Sequence, residues 1–324
     1  MASLLDTAIL LGAESTYGTP ATLSRAYEGQ IDAAKRVQEV LESVGFRGGM
    51  DTARSDRRIQ INMGGEGSLE FDLQNKGFGL LLQAMLGTSS GPTQVAATTA
   101  YETTVATSSA APTTSYTVQM QRVAVDGTTI QHTYHGGVIT GWTLAQTVGD
   151  LLKVTLPFDY EDSDTTTGAG TVTYPAATTP FHWGQMVCTV NSVATDVTDF
   201  SVTETLGFKT DRRFLRGSVL KKQPIRNAVP AITGSISLEY NDDTEYDLWA
   251  AGTIFPITAV WTGAEIEAGH NFSLTMTLPA CQFDGDSPVA NLADVPTLTM
   301  PFKALDDGTD PAVSIVYKST DTAL

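Results

Sequence analysis

The chain has 324 residues, room for about two domains of ordinary size, and 36 acidic residues against 19 basic ones give a net charge of −17. So acidic a surface repels phosphate backbones and excludes a conventional nucleic-acid-binding module. No stretch approaches the ~20 apolar residues that a membrane-spanning helix needs, and a composition rich in Thr, Ala, Gly and Ser suits β-strands joined by polar turns.

Residues 1–28 read as an extended N-terminal arm with a turn at Tyr17-Gly18-Thr19-Pro20, and deletion of residues 1–20 is expected to hurt assembly more than folding. The apolar run Ala8–Leu11 lacks a basic leader and is too short for a secretion signal, so a soluble cytoplasmic product is expected. Residues 32–44 are ambiguous: Val37, Val40, Leu41 and Val44 have helical spacing, whereas the corresponding stretch 196–206 reads as strand. Ile59–Asn62 and Ser68–Leu73 read as strands, with a tight turn at Gly64-Gly65 between them. Phe78–Leu86 has apolar residues at helical spacing and Gly87 as its stop; Tyr246–Ala250 followed by Gly252 matches it further on. Thr88–Ser115, poor in charge and without an apolar face, reads as a surface loop.

Tyr116–Val125 and Thr128–Tyr134 flank Asp126-Gly127, a hairpin signal, and Val138–Val148 with Leu151–Tyr160 form a second pair turning at Gly149-Asp150. Residues 161–180 are a polar connection. Strands are then expected near 186–191, 198–205, 233–240, 254–261, 271–279, 297–304 and 312–317.

Four short strings occur twice in the same order. Gly45-Phe46-Arg47 returns as Gly207-Phe208-Lys209, Asp56-Arg57-Arg58 as Asp211-Arg212-Arg213, Gly67-Ser68-Leu69 as Gly234-Ser235-Ile236, and Thr155-Leu156-Pro157 as Thr277-Leu278-Pro279. Self-similarity of this kind points to a repeated supersecondary unit. The expected organisation is mainly β: an arm (1–28), a first β domain (29–162), a connection (163–185) and a second, related β domain (186–324). Each domain is a sandwich or barrel with one short helix packed on a sheet.

Nothing assembles into a catalytic centre. His132 and His135 fall on opposite faces of a strand, His182 and His270 stand alone, and Asp284-Gly285-Asp286 and Asp306-Asp307-Gly308 lack calcium-loop spacing. Cys188 and Cys281 read as buried thiols. There is no nucleophile elbow, P-loop or dinucleotide fingerprint, so no enzyme and no cofactor is expected. Positive charge, by contrast, is concentrated. Arg47, Arg54, Arg57 and Arg58 lie in one segment, and Lys209, Arg212, Arg213, Arg216, Lys221, Lys222 and Arg226 in its repeat. Solvated loops are the plain reading. Basic projections on an acidic molecule are also complementary to other copies of it, head to tail, and these residues are the candidate inter-ring or inter-subunit contacts.

Glu14-Ser15-Thr16-Tyr17-Gly18-Thr19-Pro20, Gly67-Ser68-Leu69-Glu70-Phe71, Gly77-Phe78-Gly79-Leu80-Leu81-Leu82, Met85-Leu86-Gly87 and the second-half Gly234-Ser235-Ile236 and Leu278-Pro279 resemble the major tail tube proteins of tailed bacteriophages. The resemblance covers most of the chain through short structural motifs. It implies a β-sandwich whose copies close an inner barrel of six units and stack as rings. Three chains suffice if each half is one unit; six are needed if the chain is a single elaborated unit. It further implies a place in the virion tail after assembly in the host bacterial cytoplasm, an acidic lumen that DNA crosses without specific binding, and no membrane partner. The implied partners are other copies, a tape measure protein in the lumen, and tail terminator and distal tail proteins at the ends. A baseplate or terminator ring protein, a carbohydrate-binding adhesin and a hydrolase are the alternatives. The adhesin requires exposed aromatic platforms, whereas Trp142, Trp183, Trp249 and Trp261 lie in or beside apolar runs that read as buried.

Overall fold

Alternating apolar and polar residues dominate the strands of this chain. The computed structural model describes residues 7–43, 45, 48–49, 51–52, 54–108, 114–287 and 295–324, with backbone alone for 31–38 and 62–63. The first half contributes β1 (Ala8–Ala13), β2 (Ala26–Tyr27), β3 (Gly29–Glu42), β4 (Arg58–Asp72), α1 (Gly79–Leu86), β5 (Thr88–Gln94), β6 (Tyr101–Ala106), β7 (Tyr116–Val123), β8 (Thr129–Ile139), β9 (Gly141–Thr147), β10 (Lys153–Tyr160) and β11 (Asp162–Asp164). The second contributes β12 (Met186–Val190), β13 (Val193–Thr195), β14 (Val197–Thr205), β15 (Phe208–Lys209), β16 (Ile225–Arg226), β17 (Ala231–Glu239), α2 (Thr244–Ala251), β18 (Phe255–Glu267), β19 (His270–Phe283), β20 (Thr297–Ala304) and β21 (Ser314–Ser319). Among the described residues no helix is long and apolar enough to cross a membrane.

An antiparallel strip runs through both halves in the order β3-β4-β10-β9-β14-β17-β20. β20 shows how alternation builds it: Leu298, Met300, Phe302 and Ala304 are buried, while Thr299, Pro301 and Lys303 face outward. Against the buried face lies an outer layer ordered β12-β18-β19-β21-β6-β5, and a further group β2-β1-β7-β8-β11 flanks the first half. β8 and β19 each leave their outer layer at one end to join the strip, through Ile139↔Phe158 and Phe283↔Phe302.

One core serves both halves. Leu69, Leu144, Leu156 and Phe158 of the first half share it with Phe200, Ile236, Trp261, Met276 and Phe302 of the second. Trp142 Nε1 donates to Glu204 Oε2 at 2.6 Å, and Trp261 Nε1 to Gln146 Oε1 at 3.3 Å, so each buried indole finds its acceptor across the junction. α1 buries Leu81, Leu82 and Met85 and ends at Gly87, whose φ of 91° closes the helix in the left-handed region. α2 ends the same way at Gly252, but only Leu248 and Trp249 pack, in part, against the core.

The two Gly-Ser strands share a pairing pattern. Gly67, Ser68 and Leu69 face Phe158, Pro157 and Leu156; Gly234, Ser235 and Ile236 face Phe302, Pro301 and Met300. Thr155-Leu156-Pro157-Phe158 therefore corresponds to Thr299-Met300-Pro301-Phe302, not to Thr277-Leu278-Pro279, which lies in β19 against β18. Gly234 needs its small size: a Cβ there would lie 2.3 Å from the Phe302 ring and 2.5 Å from the Ser201 carbonyl oxygen.

Several expectations change. Residues 29–42 are strand, because pairing with β4 outweighs the helical spacing; Val44 lies outside the described residues. There is no turn at Gly64-Gly65, since β4 runs unbroken from Arg58 to Asp72. Gly64 (φ 69°) instead allows a close pass, its absent Cβ being only 2.4 Å from the Glu161 carbonyl oxygen. The expected loop 88–115 contains β5 and β6, where buried Thr103 and Val105 carry an alternation that counting apolar residues misses; residues 109–113 are outside the described set. Trp183 is 49% exposed rather than buried.

The expected arm is corrected most. Residues 1–6 lie outside the described set, but β1 pairs with β7 along its whole length and buries Ile9, Leu10 and Leu11. Glu14 then fastens the following turn: its buried carboxylate accepts from Gly18 N, Ser115 Oγ, Thr117 Oγ1 and Gly136 N at 2.6–3.0 Å. A run apolar at every position, rather than at alternate ones, cannot be a solvated arm. Burying each such side chain is worth about 1.5–3 kcal/mol, so deletion of residues 1–20 should remove several kcal/mol of stability. Urea unfolding of the truncated chain checks this, and an unchanged midpoint would contradict it.

Candidate assembly surfaces

The strip has a polar face and two ends. Outward from the core it presents Glu66, Ser68, Glu70 and Asp72 on β4, Thr143 and Thr147 on β9, Asp199, Ser201 and Thr203 on β14, and Thr233, Ser235, Ser237 and Glu239 on β17. Hydroxyls link across strands: Thr143 with Thr203 at 3.0 Å, Ser237 with Thr299 at 3.0 Å, and Thr147 to Asp199 Oδ2 at 2.7 Å. Among the described residues of its central strands, Glu66, Glu70, Asp72, Asp199 and Glu239 outnumber Lys153 and Lys303. Among the described residues, β3 pairs along one edge only, with β4, and Thr297–Met300 of β20 pair only with β17. Two unpaired β edges on one strip are templates for further strands.

The basic segments occupy equivalent places, as the β3–β4 and β14–β17 connections. The register makes the equivalence close, because Glu42↔Arg58 in one hairpin corresponds to Lys209↔Ile225 in the other, leaving tips 43–57 and 210–224 of equal length. Arg54 and Lys221 occupy matching positions, each four residues before the returning strand.

The candidate cations do different things. Arg47 lies outside the described residues. Arg54 pairs with Asp56 through Nε at 2.7 Å and again through Nη2, Arg58 with Glu42 at 3.2 Å, and Arg57 closes a single helical turn (Ser55–Arg57). Lys209 lies 3.7 Å from Asp211. Arg212, Arg213 and Arg216 donate across their own hairpin to the carbonyls of Gln223, Val219 and Leu220 at 2.7–3.2 Å, so they brace the tip as well as charge it. Arg226 reaches the Ser108 carbonyl at 3.3 Å. Lys222 and Arg212 stand over the Phe214 ring at 5.4 and 5.8 Å. Beside that ring Leu215 is fully exposed.

Lys221 departs from the expectation that all these cations project towards other copies. Its side chain is 5% exposed; it pairs with Asp159, itself 9% exposed, and donates to the Gly65 carbonyl at 3.4 Å. It pins the root of the second hairpin onto the strip. The second-half position that matches Asp159 is Lys303, exposed and of opposite sign to Asp159, so the acceptor of the pin is not repeated there.

Burial pushes the Asp159 carboxyl up to about 6, while the Lys221 ammonium works against that shift. The folded carboxyl therefore holds its proton more tightly than its ordinary value of 3.8 allows, and its contribution to stability falls as pH rises from about 4 to about 6. Replacing Lys221 by Met removes the opposing charge. The Asp159 carboxyl should then titrate above 6, and the variant should lose about 3–5 kcal/mol at pH 8 but much less at pH 5, where Asp159 is neutral. NMR titration with chemical unfolding at both pH values checks the sign; a loss independent of pH would contradict it.

Elsewhere, the thiols of Cys188 and Cys281 are buried and pushed up to about 12, away from thiolate chemistry. Asp306 and Asp307 accept from backbone N–H groups of their own turn, and no group of three or more potential metal ligands converges among the described residues.

A β strip with a polar face, and with edges unpaired among the described residues, is able to accept further strands. The family model described as phage tail tube protein matches residues 5–304, and the chain belongs to that family. It is thus a structural protein of the phage tail, in a family whose members assemble into the tube. A search among curated proteins finds no match.

Proposed function

We propose that this chain is the repeating wall unit of a tail tube, with the β3–β20 strip lining the bore. The observation that carries the reading is the junction β9–β14, where one half of the chain already pairs edge to edge with the other. Copies that join β3 of one chain to the β20 side of the next extend the same strip around a ring. Because one chain supplies two units, the ring is a trimer with pseudo-sixfold symmetry. The polar face then turns inward. Its carboxylates and hydroxyls offer phosphates no cationic grip, so DNA slides during ejection. A tape measure protein occupies the lumen before that, and terminator and distal tail proteins bind the ends of the stack.

The hairpin tips 43–57 and 210–224 join successive rings. Apolar contact at Phe214 and Leu215 supplies affinity, and the surrounding cations supply register and encounter rate. Leu215 touches little within its own chain, so Leu215→Asp should leave the melting temperature of the monomer unchanged while cutting polymerisation at least tenfold. Negative-stain imaging and sedimentation check this. Wild-type protein that never forms tubes, or a variant that polymerises normally, counts against the reading.

A further inference from the structure

The two ends of strand β14 differ in a way that makes them complementary. At the Thr205 end stands the braced hairpin 206–230, with Leu215 fully exposed, Arg212 and Lys222 over the half-exposed Phe214 ring, and Arg213 and Arg216 on the same hairpin. At the Val197 end, about 25–30 Å away along the strand, a cavity of about 330 Å³ opens beside the β9–β10 turn and the β12–β13 hairpin. Val148, Trp183, Val187, Ala194, Asp196 and Asp199 line it. Val148 is 53% exposed, Trp183 49% and Val187 56%, so apolar surface faces solvent here beside the Asp196 and Asp199 carboxylates. Asp199 already accepts from Thr147, which orients its carboxylate there.

We infer that this cavity is the acceptor for Leu215 of a copy in the adjacent ring. One end of the strip carries an apolar knob beside cations, and the other a cavity with exposed apolar side chains beside two carboxylates. The two surfaces are different patches of one chain, set at opposite ends of the same strand. Their contact is therefore heterologous and propagates along the strand direction without closing. Charge complementarity selects the second copy as the occupant, and burying Leu215 against Trp183 and Val187 supplies the affinity. The inference rests on the tube reading and adds its receiving surface, which carries no residue of the basic segments.

The test uses exposed positions, so folding is not at stake. Tubes formed from the Leu215→Cys/Val187→Cys protein and mildly oxidised should give a ladder of cross-linked chains on a non-reducing gel, and either single variant should give none. Val187→Asp, with an unchanged melting temperature, should depress polymerisation at least tenfold, as should Leu215→Asp, and the double aspartate variant should be no worse than either single one. Normal tubes without a ladder, or additive losses in the double variant, overturn the socket while leaving the tube reading standing. Wild-type protein that does not polymerise at all overturns both.

Discussion

The pairing of β9 with β14 is the contact on which the architecture depends. It brings two similar groups of strands into one antiparallel strip, and its register, from Gly141↔Thr205 to Thr147↔Asp199, decides what stands at each end. Because side chains alternate, a slip of β14 by one residue against β9 would turn Phe200 and Val202 out of the core and bring Ser201 and Thr203 in. Burial therefore specifies the register strongly. The Trp142–Glu204 indole bond confirms it from the buried side, and the Thr143–Thr203 hydroxyl pair from the polar side.

From that register the division of labour follows. Buried alternate positions hold the strip against the outer layer, leaving the other face free to be chosen for its polarity. The hairpins leave the strip at one end and the β9–β10 turn at the other, so joints can vary in sequence without disturbing the core. The second hairpin is rooted by Lys221 on Asp159, a pair whose desolvation raises the carboxyl even with the ammonium beside it. A buried pair of this kind is weak as a source of stability. Its consequence here is positional, since it ties a long connection to one place on the strip.

Much of this was legible in the sequence. Mainly-β character, both helices with their glycine stops, the Asp126-Gly127 hairpin and most second-half strands follow from alternation and turn chemistry. The tail tube family was legible in short motifs around the Gly-Ser strands and α1. What was missed has physical causes. The identical string Thr277-Leu278-Pro279 looked like a closer copy of Thr155-Leu156-Pro157 than Thr299-Met300-Pro301, yet pairing partners, not spelling, define equivalence. Polar alternation at Thr103 hid β6. A free arm was expected where continuous apolar character in fact buries β1 on two sides. For the surfaces, the clustering of cations was visible, but burial of Lys221 required a distant partner that no local pattern reveals. Leu215, an apolar residue between arginines, was the one sequence signal for the exposed tip. The socket draws on Val148, Trp183 and Val187 from separate turns and strands and had no signal at all.

A cryo-electron microscopy map of the assembled tube bears most directly on the claim that the chain is a duplicated wall unit joined edge to edge. The account predicts rings of three chains with threefold symmetry that approaches sixfold along the inner barrel, each β9–β14 junction alternating with an equivalent junction between chains. Rings of six identical chains, or an inner surface built from strands other than the β3–β20 strip, would contradict it.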